Sequence, residues 1–534
     1  IAVHPSRGLD IGATKYIQSR IVEERDRGAA VLLSGRRITA VGPEGAVRAQ
    51  APKGCAELRL SGETVLPGVA DGHIHLTTWA KQQSQLDLSG AGSIAEVLAM
   101  VRAASEKLPP TRWIRGWNYN ETKWIDGRTI TRQDLDGLSI SNPVLLQRVC
   151  THINVADGKA LALSELSSDD GVLRERDGIT ALKVMERNVF SREGLKSAVR
   201  EACFELARWG ITTVHPCGAD DYGMEEDLSL YGDLHRAGQL PVRVFSYHDD
   251  LPYPTLPSGF GDGWVHYQGL KIYLDGSLGG RTAALTAPYA DERFEDGCLN
   301  WTDGEVYDRL RSAREKGIQT MLHAIGDRGL DQGLRCIARV DEELGAPELR
   351  DRVNHVMVCR PDQRRTLADL ELFCDIQPAF VPSDMNMAVK RLGRERMSWA
   401  YAWKSLMREG LVLSASSDAP VETVNPWKSL WALEERYDWE EKHFSAPEER
   451  LSVEEALPLF TANPHRATGQ AHRLGRLAPG YEADIAVLDR DIAEAQGREL
   501  RETQVRYTFA GGCLSHGAID GWPAFGEGGV PSDA

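Results

Sequence analysis

Short apolar runs recur along this chain, and they are continuous rather than alternating. They fall at residues 65–71, 211–216 (ITTVHP), 242–247 (VRVFSY), 269–274 (GLKIYL), 319–324, 352–357, 373–378 (FCDIQP) and 411–416. A strand that is apolar at successive positions is buried on both faces, as in a parallel sheet covered by helices. Stretches with helical spacing separate most of the runs. The clearest is 195–209, which stops at Gly210. Eight such strands alternating with helices predict an α/β fold of the (β/α)8 TIM-like barrel type.

The rest of the chain departs from this rhythm in three places. Residues 29–42 read as two short strands around a Ser34-Gly35-Arg36 turn, and 474–488 have the same β-like, turn-rich character. The interval 80–200 holds no barrel strand and is too long for a loop in a compact domain, so it reads as an inserted subdomain with a strand of its own near 143–149. The tail beyond about 515 is rich in glycine and proline and is expected to be loosely ordered. The expected organisation is therefore a composite of 1–64 with 473–534, a barrel over 65–472, and an insert over 80–200.

Composition narrows the partners. The net charge of −16 disfavours nucleic acid and anionic membrane, both of which need a basic face. No run approaches the length of a membrane-spanning helix, and the first residues lack the charged-then-apolar order of a signal peptide. Nine dispersed cysteines without Cys-x-x-Cys spacing fit reduced thiols, and hence a cytoplasmic protein. Most read as core residues; Cys217, just past the 211–216 run, either packs in the core or faces a site.

The candidate chemistry lies at the ends of the apolar runs. His73 and His75 follow the first run at i, i+2, a spacing that puts both imidazoles on one side of a strand. Such a pair is half of a metal site, or a chance pairing in a chain with fourteen histidines. Lys271, His323, His355 and Asp418 end the fourth, fifth, sixth and eighth runs. Barrel chemistry gathers at the carboxyl ends of strands, so all six are expected to converge.

The order His-x-His, Lys, His, His, Asp resembles the amidohydrolase superfamily. The phrases LKIYLDGSLGGRTAAL, HAIGDRG and SSDAPV are similar to its family-3 branch, which includes the N-substituted formamide deformylases. The resemblance spans about residues 29–490. It implies a small β-sandwich built from the two chain ends, and a cap formed by the insert. It implies two divalent ions, Zn2+ being the expected metal, with a single ion as the other arrangement. His73, His75 and Asp418 would hold one ion, and His323 and His355 the other. Lys271 would bridge them as a carbamate formed with CO2. Asp418 would also move the proton, with His323 and His355 as the other catalytic residues.

Substrate-side candidates are less specific. His152 lies where family members carry a histidine, although the following Val155-Ala156-Asp157-Gly158 departs from the pattern. His215 ends the second run and either points into the mouth or sits in the core. Arg281 either clamps a carboxylate or makes a structural ion pair. Trp79 and Trp117, with Tyr119 and Trp124, suit an apolar substrate part or simply form the core of the insert. Glu186 is retained from a Thr-Gly-Glu-like pattern whose glycine is absent here.

The resulting expectation is a metal-dependent hydrolase of a non-peptide C–N bond in an amide, N-formyl or N-acyl amine, or cyclic amide. A biosynthetic relative that cyclises an amine onto a carbonyl would use the same groups, and a non-catalytic binding protein is the third reading. The partner is a small molecule, and a homodimer is left open.

Overall fold

The computed structural model describes residues 29–525, apart from 84, 122–123, 149–152, 219–223, 252–255 and 443–445. The described residues form two compact units, one within 29–75 with 203–525 and the other within 76–202.

In the larger unit, eight parallel strands lie in the order β4 (Val69–Ile74), β10 (Ile211–Pro216), β11 (Arg243–His248), β13 (Val265–Tyr273), β14 (Gln319–Ala324), β15 (Arg352–His355), β16 (Phe373–Ile376) and β17 (Val412–Ala415). A two-residue strand, β12 (Phe260–Gly261), pairs with β13 at the edge. Every residue of β4, β10 and β11 is buried, as continuous apolar runs require. This is a TIM-like barrel. Its ladder runs from β4 to β17, and the seam between those two is closed by residues just past the strand ends. The Asp418 amide donates to the His73 carbonyl (2.8 Å), and the His75 amide donates to that of Ala419 (2.9 Å).

One strand boundary needs correction. The run 65–71 is two strands, not one. β3 (Val65–Pro67) pairs antiparallel with β18 (Ile485–Leu488), while β4 starts the barrel. Gly68 separates them, and a Cβ there would lie 2.1 Å from the Thr212 hydroxyl, so only glycine fits.

β3 and β18 continue into β19 (Val505–Ala510) and β20 (Cys513–His516) as a four-stranded sheet. The hairpin of β1 (Ala29–Ser34) and β2 (Arg37–Pro43) shares an apolar core with that sheet through Ile38, Leu477, Ile485 and Phe509. Arg243, fully buried on β11, ties the sheet to the barrel by donating to Asp484 (2.7 and 3.0 Å) and Glu482 (3.0 Å). Both carboxylates are themselves buried, so the pairing offsets desolvation that neither partner could bear alone.

The second unit has its own sheet, in the order β5 (Leu86–Asp87), β6 (Ile114–Tyr119), β7 (Val144–Arg148), β8 (Ile153–Ala156) and β9 (Val172–Arg174). Its core includes Tyr119 and Trp124, whose rings stack at 5.5 Å. No helix among the described residues is long and apolar enough to cross a membrane. The described cysteines are all free thiols, and Cys150 lies outside the described residues.

Candidate metal centre

The barrel seam carries the first half of the site. On β4, Asp71 and His73 share the inner side, and His75 follows the strand end. The Nε2 atoms of His73 and His75 lie 3.0 and 3.2 Å from one oxygen, Oδ1 of Asp418. Their ligand atoms and that of Asp418 fall within 4.8 Å of one another, the one such group among the described residues. Although both nitrogens are close, Asp418 Oδ1 is buried and has no partner in hydrogen-bonding geometry. Two imidazole nitrogens and a carboxylate oxygen facing a common point are the donor set a divalent cation takes.

The backbone around this group is locked. Asp418 sits at φ 56, in the left-handed region that a residue with a side chain adopts at a cost. Asp71 holds the turn there, accepting from the Ser417 amide (3.0 Å), the Ser417 hydroxyl (2.5 Å) and the His73 amide (3.2 Å). Burial lifts the Asp71 carboxyl to about 6. Burial pushes His73 down to about 3, helped by the Lys271 charge, so its imidazole is neutral near pH 7. Burial opposes ionisation of Asp418, but the surrounding imidazoles outweigh it and hold the carboxyl well below the usual range. Neutral imidazoles beside an ionised carboxylate are the states metal ligands need.

Lys271, His323 and His355 lie around His73. Lys271 on β13 is buried, with Nζ 3.4 Å from His73 Nδ1, and it donates to Asn354 Oδ1. Burial lowers its pKa. The His355 ring is 5.2 Å from that of His73 and 4.4 Å from that of His323. Asn354 and His355 are consecutive, so strand alternation would send one of them outward. A φ of 72 at His355 turns its ring inward as well.

Hydrogen bonds set the free nitrogens of the two rings. The Ser416 hydroxyl donates to the Ile376 carbonyl (3.0 Å) and so accepts from Gln377 Nε2 (2.9 Å). Gln377 Oε1 therefore accepts from His355 Nδ1 (2.8 Å), which leaves the lone pair on His355 Nε2. His323 Nε2 faces the Gly276 carbonyl at 3.1 Å, so its lone pair is on Nδ1. Asp275, 3.4 Å from the same Nε2, is anchored by the amides of Ala284, Ile325 and Gly326. Burial lowers His323 to about 4. The six residues expected to converge are thus one cluster.

The substrate-side expectations fare differently. His215 does not reach the mouth. It is fully buried in the barrel interior, and its Nδ1 accepts from Arg352 at 3.1 Å. Arg281 grips Asp291 at 3.1 and 3.3 Å, which makes it a structural pair and not an available clamp. Cys217 is buried against Met321, at 3.2 Å between sulfurs, so it belongs to the core. Trp79 is buried and Trp117 half-buried within the 76–202 unit, where Glu186 pairs with Arg115 at 3.7 Å. His152 lies outside the described residues. Asp71, Asn354, Gln377 and Asp275 were not foreseen. The available signals were a carboxylate at i−2 from His73 and polar residues inside otherwise apolar runs.

A barrel with imidazoles and a carboxylate gathered at its strand ends has its candidate chemistry where enzymes of this fold keep theirs. Residues 58–515 match the Amidohydrolase family, and the chain is a member of it. It is 29% identical over 523 residues to the YtcJ protein of Bacillus subtilis (strain 168), covering 92% of this chain and 96% of that one. It is 27% identical over 537 residues to an N-substituted formamide deformylase of Arthrobacter pascens, covering 93% and 96%. The crystal structure of an uncharacterized metal-dependent hydrolase from Pyrococcus furiosus superposes with a TM-score of 0.74 at 30% identity, covering 87% of this chain and 95% of that one. The protein is accordingly a hydrolase.

Proposed function

We propose that this hydrolase cleaves a non-peptide C–N bond in a small molecule, either an amide, an N-formyl or N-acyl amine, or a cyclic amide. The observation that carries the reading is Asp418: a buried carboxylate whose Oδ1 lies 3.0 and 3.2 Å from the Nε2 atoms of His73 and His75 without a hydrogen bond. The similarity to an N-substituted formamide deformylase points to the same bond class.

His73, His75 and Asp418 would hold one divalent ion, zinc being the proposed metal. His323 through Nδ1 and His355 through Nε2 would offer ligands to a second, with a carboxylated Lys271 shared between the two. Bound there, such ions polarise a carbonyl and lower the pKa of water. The chain's own residues handle the rest. Asp418, ionised and held rigidly at φ 56, accepts a proton from the attacking water and returns it to the leaving nitrogen. Gln377 and Gly276 keep the two rings in the tautomers described above, which leaves one nitrogen lone pair on each ring to serve as a ligand.

Elemental analysis of the purified full chain, with a screen of N-formyl amines, N-acyl amines and cyclic imides, tests the reading. The expected outcome is about two divalent ions per chain, and activity that chelation removes and zinc restores. A folded preparation that is active without divalent metal would refute it.

A further inference from the structure

We propose that Asn354 is the positioning residue for Lys271, fixing the direction of its one remaining N–H once the amine is carboxylated. The inference rests on the reading of Lys271 as a carbamate and adds to it the device that orients the group.

The argument is one of hydrogen-bond polarity. Arg352 is fully buried at the start of β15 and is a donor only. All five of its N–H groups are used: Nε and one NH2 hydrogen on Asp375 (3.0 and 2.5 Å), the other NH2 hydrogen on the Gly72 carbonyl (2.8 Å), and the NH1 pair on Tyr247 (2.8 Å) and His215 (3.1 Å). That grip, with a donor on each carboxylate oxygen, makes Asp375, also fully buried, an acceptor. Asn354 can meet Asp375 Oδ2 only with its Nδ2, and does so at 2.7 Å. Its Oδ1 is then obliged to face the other way, and the group it faces is Lys271 Nζ. An amide that is ordinarily free to flip thus has a single permitted orientation.

Carboxylation makes that orientation useful. The neutral amine's lone pair forms an N–C bond to CO2, one C–O π pair moves onto oxygen, and one amine proton leaves to solvent. The product keeps one N–H. Donated to Asn354 Oδ1, it fixes rotation about the Cε–Nζ bond and leaves the new carboxylate on the side away from Asn354. A simple packing role would need only the volume of Asn354. The role inferred here needs a donor toward Asp375 and an acceptor toward Lys271.

Two variants separate these. Asn354→Leu keeps the branched shape, at a somewhat larger volume, and removes both polar atoms. Asn354→Ser loses volume, but its hydroxyl can donate to Asp375 and accept from Lys271. The full-length proteins are incubated with 13C-labelled bicarbonate, the carbamate carbon is observed by NMR, and zinc is titrated into stripped samples. Removing a group that orients a metal ligand weakens metal binding by about 10–100-fold. That loss, with a diminished carbamate signal, is expected for Asn354→Leu, and a smaller loss for Asn354→Ser. Should the leucine protein not fold, substantial retention of signal and zinc binding by the serine protein supports the inference, and their loss overturns it. Leucine equal to or better than serine, or both at the wild-type level, overturns the inference alone. A wild type without any carbamate signal overturns it together with the carbamate reading.

Discussion

Two layers of the barrel interior, a lower one around Arg352 and an upper one around Asp418, handle their charged groups in opposite ways. In the lower layer every Arg352 donor has an acceptor, and the Asp375 charge is matched by a guanidinium and an amide. In the upper layer, His73, His75 and Asp418 aim their ligand atoms at a common point, with Asp418 Oδ1 left without a hydrogen bond. The upper layer also holds the left-handed residues His355 and Asp418. Buried polar groups are ordinarily satisfied, and the exceptions call for an explanation. The contrast assigns the lower layer to holding the barrel and the upper one to chemistry.

If that division is right, Asp418→Asn should show the largest effect, and on turnover only. The asparagine can still offer an oxygen but cannot cycle a proton, so kcat should fall by about 10²–10⁴-fold. KM should move far less, and the metal-free protein should be no less stable to denaturant. Steady-state kinetics on a metal-replete sample, with denaturation of a stripped one, check both halves. Near-normal turnover would move the proton transfer to another residue.

Arg352→Met is the reciprocal change. It leaves Asp375 in the barrel interior without its guanidinium, and breaking such a buried pair costs about 3–5 kcal/mol. Urea denaturation should show a loss of that order even after metal is stripped. A loss below about 1 kcal/mol, in the range of exposed pairs, would mean that the lower layer is not what holds the barrel.

The eight strands were legible because burial on both faces leaves continuous apolar runs. The same property hid two things. The run from Val65 to Asp71 crosses Gly68 without a break in polarity, since β3 and β4 are both buried, though against different sheets. His215 lies in a strand with no exposed residue, so alternation gave no clue to its level in the barrel. His73 and His75 were legible because i, i+2 spacing survives folding. Asn354 was not, because its neighbour His355 reaches the same interior through a backbone angle that residue types do not reveal. Arg352 and Asp375 were visible as charges inside apolar runs, yet only the fold shows that they meet.

A smaller effect separates the layers by pH. Burial lowers His73 to about 3 and His323 to about 4, against 6.5 for an exposed imidazole. Below 6.5 the unfolded chain binds protons that the folded chain refuses, so the stability these rings contribute is full above 6.5 and is lost as pH falls through 4 and 3. The Arg352 guanidinium, its pKa raised, does not titrate in that window. Imidazole NMR of the stripped wild-type protein should therefore show both rings still neutral at pH values where an exposed histidine is protonated, and titration near 6.5 would show that burial does not hold them neutral.

The smallest effect concerns a residue outside both layers. Arg281 was expected either to clamp a substrate carboxylate or to make a structural pair, and it grips Asp291. The pair is partly exposed, at 33% and 25% for the two side chains, and Asp291 is also held by Arg391. Arg281→Ala therefore leaves no carboxylate alone, and the loss of stability should be small, as for other exposed pairs. Kinetics should stay at the wild-type level for substrates with and without a carboxylate, because a guanidinium engaged by Asp291 has little to offer a ligand. A KM rise of about tenfold, or 1.4 kcal/mol, confined to carboxylate-bearing substrates would show that Arg281 leaves Asp291 when substrate arrives. The chemical layer would then extend beyond the barrel interior to the loop that follows β13.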